Sequence, residues 1–528
     1  MNLSDGNSLI YGIKNISFFL ITSLYFTISS AAEINSIESG NLSGLLVITP
    51  TFSATETWTN NTSPENRKSN SGFISVLSPG INFSSSSGRI KGYLNYSLNI
   101  VKYSGEQSRT SLQNSLNSST VLEVVDGHGY IDVNAFITQQ TISAFSIQTI
   151  NNSNLNSNKT EVSTYILSPY YRGRLSNFIN YEARYSLATT RAKSTDNFSS
   201  NDTLASINLN GDEFFGKLSW TLAANQQVVS RNASTSFITN TNINGNIEID
   251  RLNGSLNYPV NDQLILSVTG GQERQNYTSA GKENSWTSGA GINWILSDMT
   301  KLAANVQRNP LGKMHSLNFE HRTPRTSWRI SDVKSLSLSN NKNTLGFGNN
   351  YDLLFIQFSS IEPDPIKRAL LVNNYLQTNG INPSLTTING YLTSGTLLQR
   401  TQNISFAILG IRDTITFTAA KSNGRSVGNS TIALDDYKKS NLIMQDGVTI
   451  AYSHRLTTDT VLSNEFSFQK VRGDLSSQKS QLKSVNVSTS TRLGNKIYLT
   501  LSARHSIASS SSFPYKETAV IGNLAVQF

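Results

Sequence analysis

Histidine is the residue type in this sequence best suited to acid–base chemistry near neutral pH. The chain has His128, His315, His321, His454 and His505. His315 and His505 are each followed directly by serine, which is not the His-x-Ser spacing of the phospholipases built on membrane barrels. No carboxylate cluster that suggests a protease site stands beside them. We therefore interpret the histidines as structural residues of strands or turns, and we expect no enzymatic activity.

The remaining candidates for chemistry are few. Asp435 and Asp436 are adjacent carboxylates followed by Lys438 and Lys439, a pattern we interpret as a solvated polar loop. Cysteine is absent, which excludes a disulfide framework and a thiolate metal site. There is no glycine-rich phosphate loop, no metal-ligand spacing and no basic tract for nucleic acid. We therefore expect no cofactor, no metal and no nucleic-acid partner.

The elements that would position any functional side chain are β-strands. Apolar and polar residues alternate over 89–100 and 130–138, and again over 485–503, where Gly494-Asn495 marks a hairpin turn. Hydrophobic content is only 37%, with 34 Gly and 11 Pro, which is low for 528 residues around one large core. Strands that are apolar on one face and polar on the other explain this balance. The pattern predicts an all-β transmembrane antiparallel barrel of the outer membrane. The alternative, a secreted β-solenoid or adhesin, would show a short fixed repeat, and we find none.

Both ends of the chain agree with this prediction. Residues 520–528 alternate and end on Phe528, as do closing strands of bacterial outer-membrane barrels, whose terminal aromatic residue is an assembly signal. Near the other end, Lys14 precedes an apolar stretch too short to span a bilayer as a helix, followed by the small residues 30–32. We expect a signal peptide at 1–32 and a barrel at 33–528.

Turn signals predict the number of strands. Ten dipeptides or short segments have the composition of tight turns: 87–88, 126–129, 176–177, 211–212, 261–262, 297–298, 323–324, 412–413, 458–459 and 494–495. Each would join two strands on the periplasmic side, so we expect about 22 strands, with 20–22 as the range. Longer external loops are predicted near 59–71, 140–160, 192–201, 423–440 and 508–515.

Cationic residues at polar strand positions predict the character of the lumen. By alternation, the candidates for an inward position are Arg89, Lys91, Arg184, Arg325, Arg329 and Arg504, with Arg492 and Lys496. Such a wall would concentrate acidic solutes. Alternatively, the cationic residues beside turns lie at the membrane interface, or lumenal acids such as Glu182 and Glu320 balance the charge of the inward cations. Tyr93, Tyr130 and Phe136 also face inward by parity, where rings stack on sugars or simply pack.

One segment departs from the strand pattern. Asp364 is an N-cap followed by proline, apolar residues recur at helical spacing through Ile366, Leu370 and Leu376, and Asn379-Gly380 is a stop signal. A helix over 364–380 is therefore predicted in an external loop. It either plugs the pore or decorates the surface, and its apolar stripe would pack against 351–358, itself a strand or a docking segment.

Several stretches resemble one family, the outer-membrane β-barrel proteins associated with the PEP-CTERM/exosortase system. They follow in order along the chain: 50–61 (PTFSATETWTNN), 77–81, 167–172, 286–294 (WTSGAGINW), 320–328 (EHRTPRTSW), 351–358 and 364–380 (DPIKRALLVNNYLQTNG). The chain departs from the family at 296–300, where relatives tend to carry a proline-containing turn. The resemblance implies a role in export or assembly of extracellular polysaccharide, and it defines no activity.

Three classes of function follow. The first is a barrel for exopolysaccharide export or matrix assembly in an exosortase-type system. The others are a general diffusion porin and a structural or adhesive barrel without transport. Expected partners are outer-membrane lipid, the barrel assembly machinery, and, in the export class, polysaccharide export components and an acidic polysaccharide.

Overall fold

A closed antiparallel barrel of 22 strands accounts for most of the described chain. The structure is a computed structural model that describes residues 46–65, 70–85, 88–104, 109–150, 153–194, 198–231, 246–277, 281–338, 347–349, 386–427, 435–475, 477–510 and 514–528, together with Tyr351, Leu354, Phe355, Phe358, Arg368 and Val372. The strand count predicted from the turns is confirmed. The expected signal peptide lies outside the described residues.

The strands are β1 (Leu46–Thr59), β2 (Gly72–Ser85), β3 (Ile90–Tyr103), β4 (Thr110–Val125), β5 (Gly129–Thr141), β6 (Lys159–Ser176), β7 (Ile179–Ala192), β8 (Ser200–Phe215), β9 (Leu218–Arg231), β10 (Ile247–Asn261), β11 (Leu264–Gln275), β12 (Glu283–Ser297), β13 (Thr300–Asn309), β14 (Gly312–Arg322), β15 (Thr326–Ser337), β16 (Phe347–Asn349), β17 (Thr386–Ile388), β18 (Thr396–Leu409), β19 (Asp413–Val427), β20 (Leu442–Arg455), β21 (Thr460–Arg472), β22 (Lys479–Gly494), β23 (Ile497–Ser510) and β24 (Tyr515–Gln527). A 3-10 helix covers Asp436–Lys438. The short strands β16 and β17 pair with each other and lie outside the barrel sheet.

The barrel closes where its first and last strands meet. β24 pairs with β1 in antiparallel register, with Val526 opposite Phe52 and Val520 opposite Trp58. The backbone N–H of Phe528 donates to the carbonyl of Pro50 at 3.0 Å. Closure leaves no strand edge unpaired, which a sheet surrounded by lipid requires.

One end of the barrel has only short turns, and the other has the longer connections together with the two-residue turn between β13 and β14. We call these the turn end and the loop end; in outer-membrane barrels they face the periplasm and the exterior, respectively. Nine of the ten predicted turns lie where strands reverse. The turn predicted at Gly211-Asp212 is wrong, because β8 continues to Phe215 and reverses at Gly216. Gly211 lies opposite Trp220, and a Cβ at that position would collide with the indole ring, so packing explains this glycine.

Outward positions form an apolar band around the barrel. Its members include Leu167, Leu187, Ile207, Leu256, Val306, Ile404, Ile450, Phe466, Val487 and Leu501, all exposed. Outward aromatic residues flank the band near the turn end, at Tyr171, Tyr258, Trp294 and Trp328. An apolar band with an aromatic girdle is the surface that a barrel presents to lipid, and the protein is therefore an outer-membrane barrel. Among the described residues, no helix has the length and apolar character needed to cross a membrane.

Candidate functional site: the occupied lumen

The inner wall of β18–β20 is covered by the protein's own chain. Nine small inward residues on these strands are each no more than 5% exposed: Ser405, Ala407, Thr414, Thr416, Thr418, Ala420, Ser422, Thr449 and Ser453. Thr414 and Ser453 lie near the turn end and Ser422 nearer the loop end, so the cover extends along the lumen. Small side chains leave room for a segment to lie flat against the wall.

The connection between β15 and β18 reaches the turn end of this wall. Leu354 and Val372 are completely buried and form an apolar cluster with Phe358, against which Leu409 packs. Leu409 is the last residue of β18, at the turn end, whereas the connection leaves the barrel at the loop end. Leu354, Phe358 and Val372 therefore place part of the connection inside the barrel near its turn end.

The same contacts locate part of the predicted helix. Val372 and Arg368 are helical, and Arg368 lies over the Phe355 ring at 4.7 Å. Tyr351, Leu354 and Phe355 are also helical and pack in this cluster, so at these three positions the docking alternative holds and the strand alternative does not. Four of the residues on which the helix prediction was based lie outside the described residues: Asp364, Ile366, Leu370 and Leu376.

The returning part of the connection rests on β20. Gln445 of β20 donates from Nε2 to the carbonyl of Asn389 at 3.0 Å. A Cβ at Gly447 would collide with the carbonyl of Thr387, so glycine permits β17 to approach the wall closely. Ile388 is completely buried there. Backbone contact of this kind requires a residue without a side chain.

A second loop, between β5 and β6, crosses the loop end of the barrel. Asn154 donates from Nδ2 to Glu517 of β24 at 3.0 Å, and Tyr103 of β3 donates to the carbonyl of Ser153 at 2.7 Å. Ile147 packs against Tyr515 among other residues of β22–β24. We call residues 142–158 the lid.

A third loop, between β19 and β20, contacts both the lid and the β15–β18 connection. Asp436 accepts hydrogen bonds from the Ser143 hydroxyl and the Ala144 backbone N–H, both at 2.7 Å. Tyr437 and Tyr391 share a hydrogen bond between their hydroxyls at 2.7 Å. Burial raises the pKa of the Asp436 carboxyl above its usual range. The interpretation of Asp435 and Asp436 as a solvated loop is therefore wrong.

The contacts of Asp436 were not predicted, because the interpretation as a solvated loop rested on the neighbouring Lys438 and Lys439. Asp435 caps the 3-10 helix by accepting from the Tyr437 N–H. The signal available in the sequence was Asp435, a residue type that caps short turns, placed two residues before the aromatic Tyr437.

Glu517 is the carboxylate that anchors the lid. It is almost fully buried and accepts from Arg504 Nη2 at 3.2 Å and from the Thr59 hydroxyl at 3.1 Å, in addition to Asn154. The site joins β1, β23 and β24 to the lid. A buried charge is stable only when it is paired and hydrogen-bonded, and Glu517 is both.

A cluster of aromatic and charged side chains faces the lumen on β5–β7. Tyr130 and Tyr170 stack with ring centroids 5.1 Å apart, and Arg172 and Arg184 lie over their faces at 4.4 and 3.9 Å. Arg184 also binds Asp132 at 2.5 Å and Glu182 at 3.1 Å. We call these side chains the Tyr130 cluster. It presents hydroxyls, guanidinium N–H groups and carboxylates along one part of the wall.

The candidate lumen cations divide into two groups. Arg184, Arg329 and Arg504 occupy inward positions. Lys91 also faces inward, because it lies an even number of residues from the buried Val101 on the same strand, β3. Arg89 and Arg325 lie in exposed turns. Arg184 and Arg504 are paired with carboxylates, and Glu320 lies directly opposite Arg329. These contacts match the alternative in which lumenal acids balance the cations.

The histidines take part in structural contacts. His321 bonds Thr300 and His454 bonds Asp413, both close to turns as the sequence predicts. His315 lies outward beside Asp332, and His505 bonds Thr518. Within the part of the chain that the structure describes, no group of three or more His, Asp or Glu could hold a metal ion.

Comparison with known proteins adds a general likeness of fold. The sequence matches no protein-family model and no curated protein. Similar solved structures include the FrpB iron transporter of Neisseria meningitidis, with 11% identity, a TM-score of 0.47 and coverage of 92% of this chain and 82% of that chain. Another is the siderophore receptor PirA of Acinetobacter baumannii, with 8% identity, a TM-score of 0.46 and coverage of 92% and 81%.

Proposed function

We propose that this protein is a gated outer-membrane conduit that is closed at rest by its own loops and serves export of extracellular polysaccharide. The observation that carries the proposal is the occupied lumen: Leu354, Phe358 and Val372 of the β15–β18 connection pack beside Leu409, and the lid crosses the loop end. A barrel of 22 strands is wide enough to need a plug or to pass a large solute.

The occupied lumen distinguishes this proposal from the alternatives. A general diffusion porin keeps an open aqueous path, which the buried wall of β18–β20 does not favour. A structural or adhesive barrel would not need a connection packed inside it. Movement of the lid and of the β15–β18 connection is therefore the step on which passage depends.

The substrate class rests on two lines of support. The resemblance of the sequence to barrels of the exosortase system favours polysaccharide. The Tyr130 cluster offers hydroxyl, carboxylate and guanidinium groups that can bond sugar hydroxyls. Arg184 and Arg504 are already paired with acids, so the wall offers a strongly acidic polymer less free positive charge than its cations alone would supply. Polysaccharide export components would be the partners in such a pathway.

A reversible cross-link tests the gate. Thr59 of β1 and Asn154 of the lid both bond Glu517 Oε1, so Thr59→Cys and Asn154→Cys place two thiols near each other. The sequence has no native cysteine to interfere. A short, reducible bis-thiol linker should stop polysaccharide secretion by cells that depend on this protein, and reduction should restore it.

The two single-cysteine variants, treated identically, are the controls and should secrete normally. Continued secretion by protein shown by mass spectrometry to be fully bridged would contradict a moving lid. Normal secretion by a strain lacking the protein would contradict the polysaccharide assignment itself.

A further inference from the structure

A belt of cationic side chains surrounds part of the outer surface at the loop end. Its members occupy outward positions on β13–β22: Arg308, Lys313, Lys334, Arg400, Lys421, Arg425, Lys470, Arg472, Lys479 and Lys483. Their orientation follows from alternation with buried inward neighbours such as Met314, Ser422 and Leu482. We call this set the cationic belt.

Two carboxylates on the same face offset only a small part of this charge. Asp332 binds Arg400 at 2.5 Å and Asp446 binds Arg472 at 2.7 Å. For the other eight cations of the belt, no ion pair within 4.0 Å involves the residues that the structure describes. The belt is therefore strongly positive on the side that faces away from the lumen.

The register places like charges directly opposite each other. Arg308 lies opposite Lys313, Lys334 opposite Arg400, and Arg472 opposite Lys479. Adjacent strands are about 4.8 Å apart, and like charges directly opposite destabilise a sheet. Asp332 and Asp446 offset part of this repulsion at Arg400 and Arg472. The Arg308–Lys313 pair has no such partner among the described residues, so an external anion would stabilise this surface.

The position of the belt shows which anion can reach it. On two of these strands the next outward position toward the turn end is apolar and exposed: Val306 after Arg308, and Val485 after Lys483. On β18 the exposed Ile404 lies two outward positions from Arg400. The Lys483 ammonium lies 5.9 Å from the Phe468 ring. The belt thus borders the hydrocarbon band, at the level where lipid headgroups of the outer leaflet lie.

We infer that the cationic belt binds the phosphate groups of a phosphorylated glycolipid in the outer leaflet, whose acyl chains lie along the apolar band. Arginine binds phosphate through paired N–H donors and lysine binds it as a point charge. A headgroup with two separated phosphates can bridge neighbouring like-charged pairs. This inference rests on the membrane location of the barrel and does not depend on what passes through the lumen.

Native mass spectrometry of the folded protein in detergent tests the inference. The probes are a bisphosphorylated lipid A, the same lipid A with both phosphates removed, and phosphatidylglycerol. The test variant carries Arg308→Gln, Lys313→Gln, Lys334→Gln and Lys421→Gln, which leaves both ion pairs intact. The control removes two arginines and two lysines from exposed sites at the turn end, by Arg174→Gln, Lys217→Gln, Lys301→Gln and Arg412→Gln.

The wild type and the control should retain bisphosphorylated lipid A at least about tenfold more strongly than either other probe, since charged hydrogen bonds to phosphate supply the difference. The test variant should lose this preference. Equal retention of the dephosphorylated lipid or of phosphatidylglycerol by the wild type would overturn the assignment, as would an unchanged test variant. If the test variant fails to fold, Lys313→Glu alone should reduce the preference for bisphosphorylated lipid A at least twofold. An unchanged preference in that variant would overturn the assignment.

Discussion

Asn154 of the lid donates a hydrogen bond of 3.0 Å to Glu517 of β24, a residue 363 positions away in the sequence. The acceptor is one of the most deeply buried carboxylates in the described chain, and it also bonds Arg504 and Thr59. One side chain therefore fastens an external loop to the strands that close the barrel. Barrel closure and lid position are coupled at this site.

Loss of Glu517 should be costly for this reason. Glu517→Leu leaves Arg504, itself only 7% exposed, as a buried charge without its partner. We expect a loss of about 3–5 kcal/mol in the free energy of unfolding, measured by urea titration of the heat-modifiable folded band. Asp262→Ala, an exposed turn carboxylate, is the control and should change the free energy little.

The double variant Glu517→Leu with Arg504→Leu separates charge from packing. It should recover most of the lost free energy, because replacement of a whole buried ion pair by apolar residues is often neutral. A double variant as unstable as Glu517→Leu alone would show that the cost comes from lost packing or from the lid contact.

The lipid-facing and lumen-facing positions of β23 should respond differently to substitution. Leu501 is 57% exposed on the outward face, so Leu501→Arg should cost about 2–4 kcal/mol near the middle of the bilayer. Ser502 faces inward on the same strand, and Ser502→Gln should be tolerated. Folding titrations in lipid vesicles measure both. Equal costs would contradict the assignment of the two faces.

Phe528 should matter for assembly more than for stability. Phe528 is 62% exposed, and its contact with Pro50 is made by the backbone, so Phe528→Ala should change the free energy of unfolding by no more than about 0.5 kcal/mol. The rate at which folded barrel accumulates in cells should nevertheless fall, if the terminal ring is an assembly signal. An unchanged rate would show that this ending is incidental.

The strands were predictable from sequence because alternation is a local property. The turns at 494–495 and 458–459 combine local composition with the period of two, and the ten turns predicted in this way gave the count of about 22 strands. Gly211 misled the turn prediction because its partner is Trp220, which lies on the next strand. A glycine signal in the sequence does not distinguish a turn from a close contact.

The contacts inside the barrel could not be predicted in the same way. Leu409 alternates like any strand residue, and nothing near it in the sequence shows that it packs with Leu354 and Val372. The parity of Arg184 and Arg504 predicted inward positions, whereas their pairing with Asp132 and Glu517 depends on the register of neighbouring strands. Side-chain direction is local, and side-chain partners are set by the tertiary structure.

The most direct test of a closed, loop-filled lumen is single-channel conductance in planar bilayers. Leu354→Asp places a charge in the completely buried cluster that docks the β15–β18 connection onto Leu409, while the barrel strands keep all their pairings. Leu475→Asp is the control, because Leu475 is exposed in the loop between β21 and β22. The wild type and the control should remain closed, and Leu354→Asp should show long-lived open steps with the folded barrel intact. Open steps of the same size in the wild type, or a closed Leu354→Asp variant, would contradict the account.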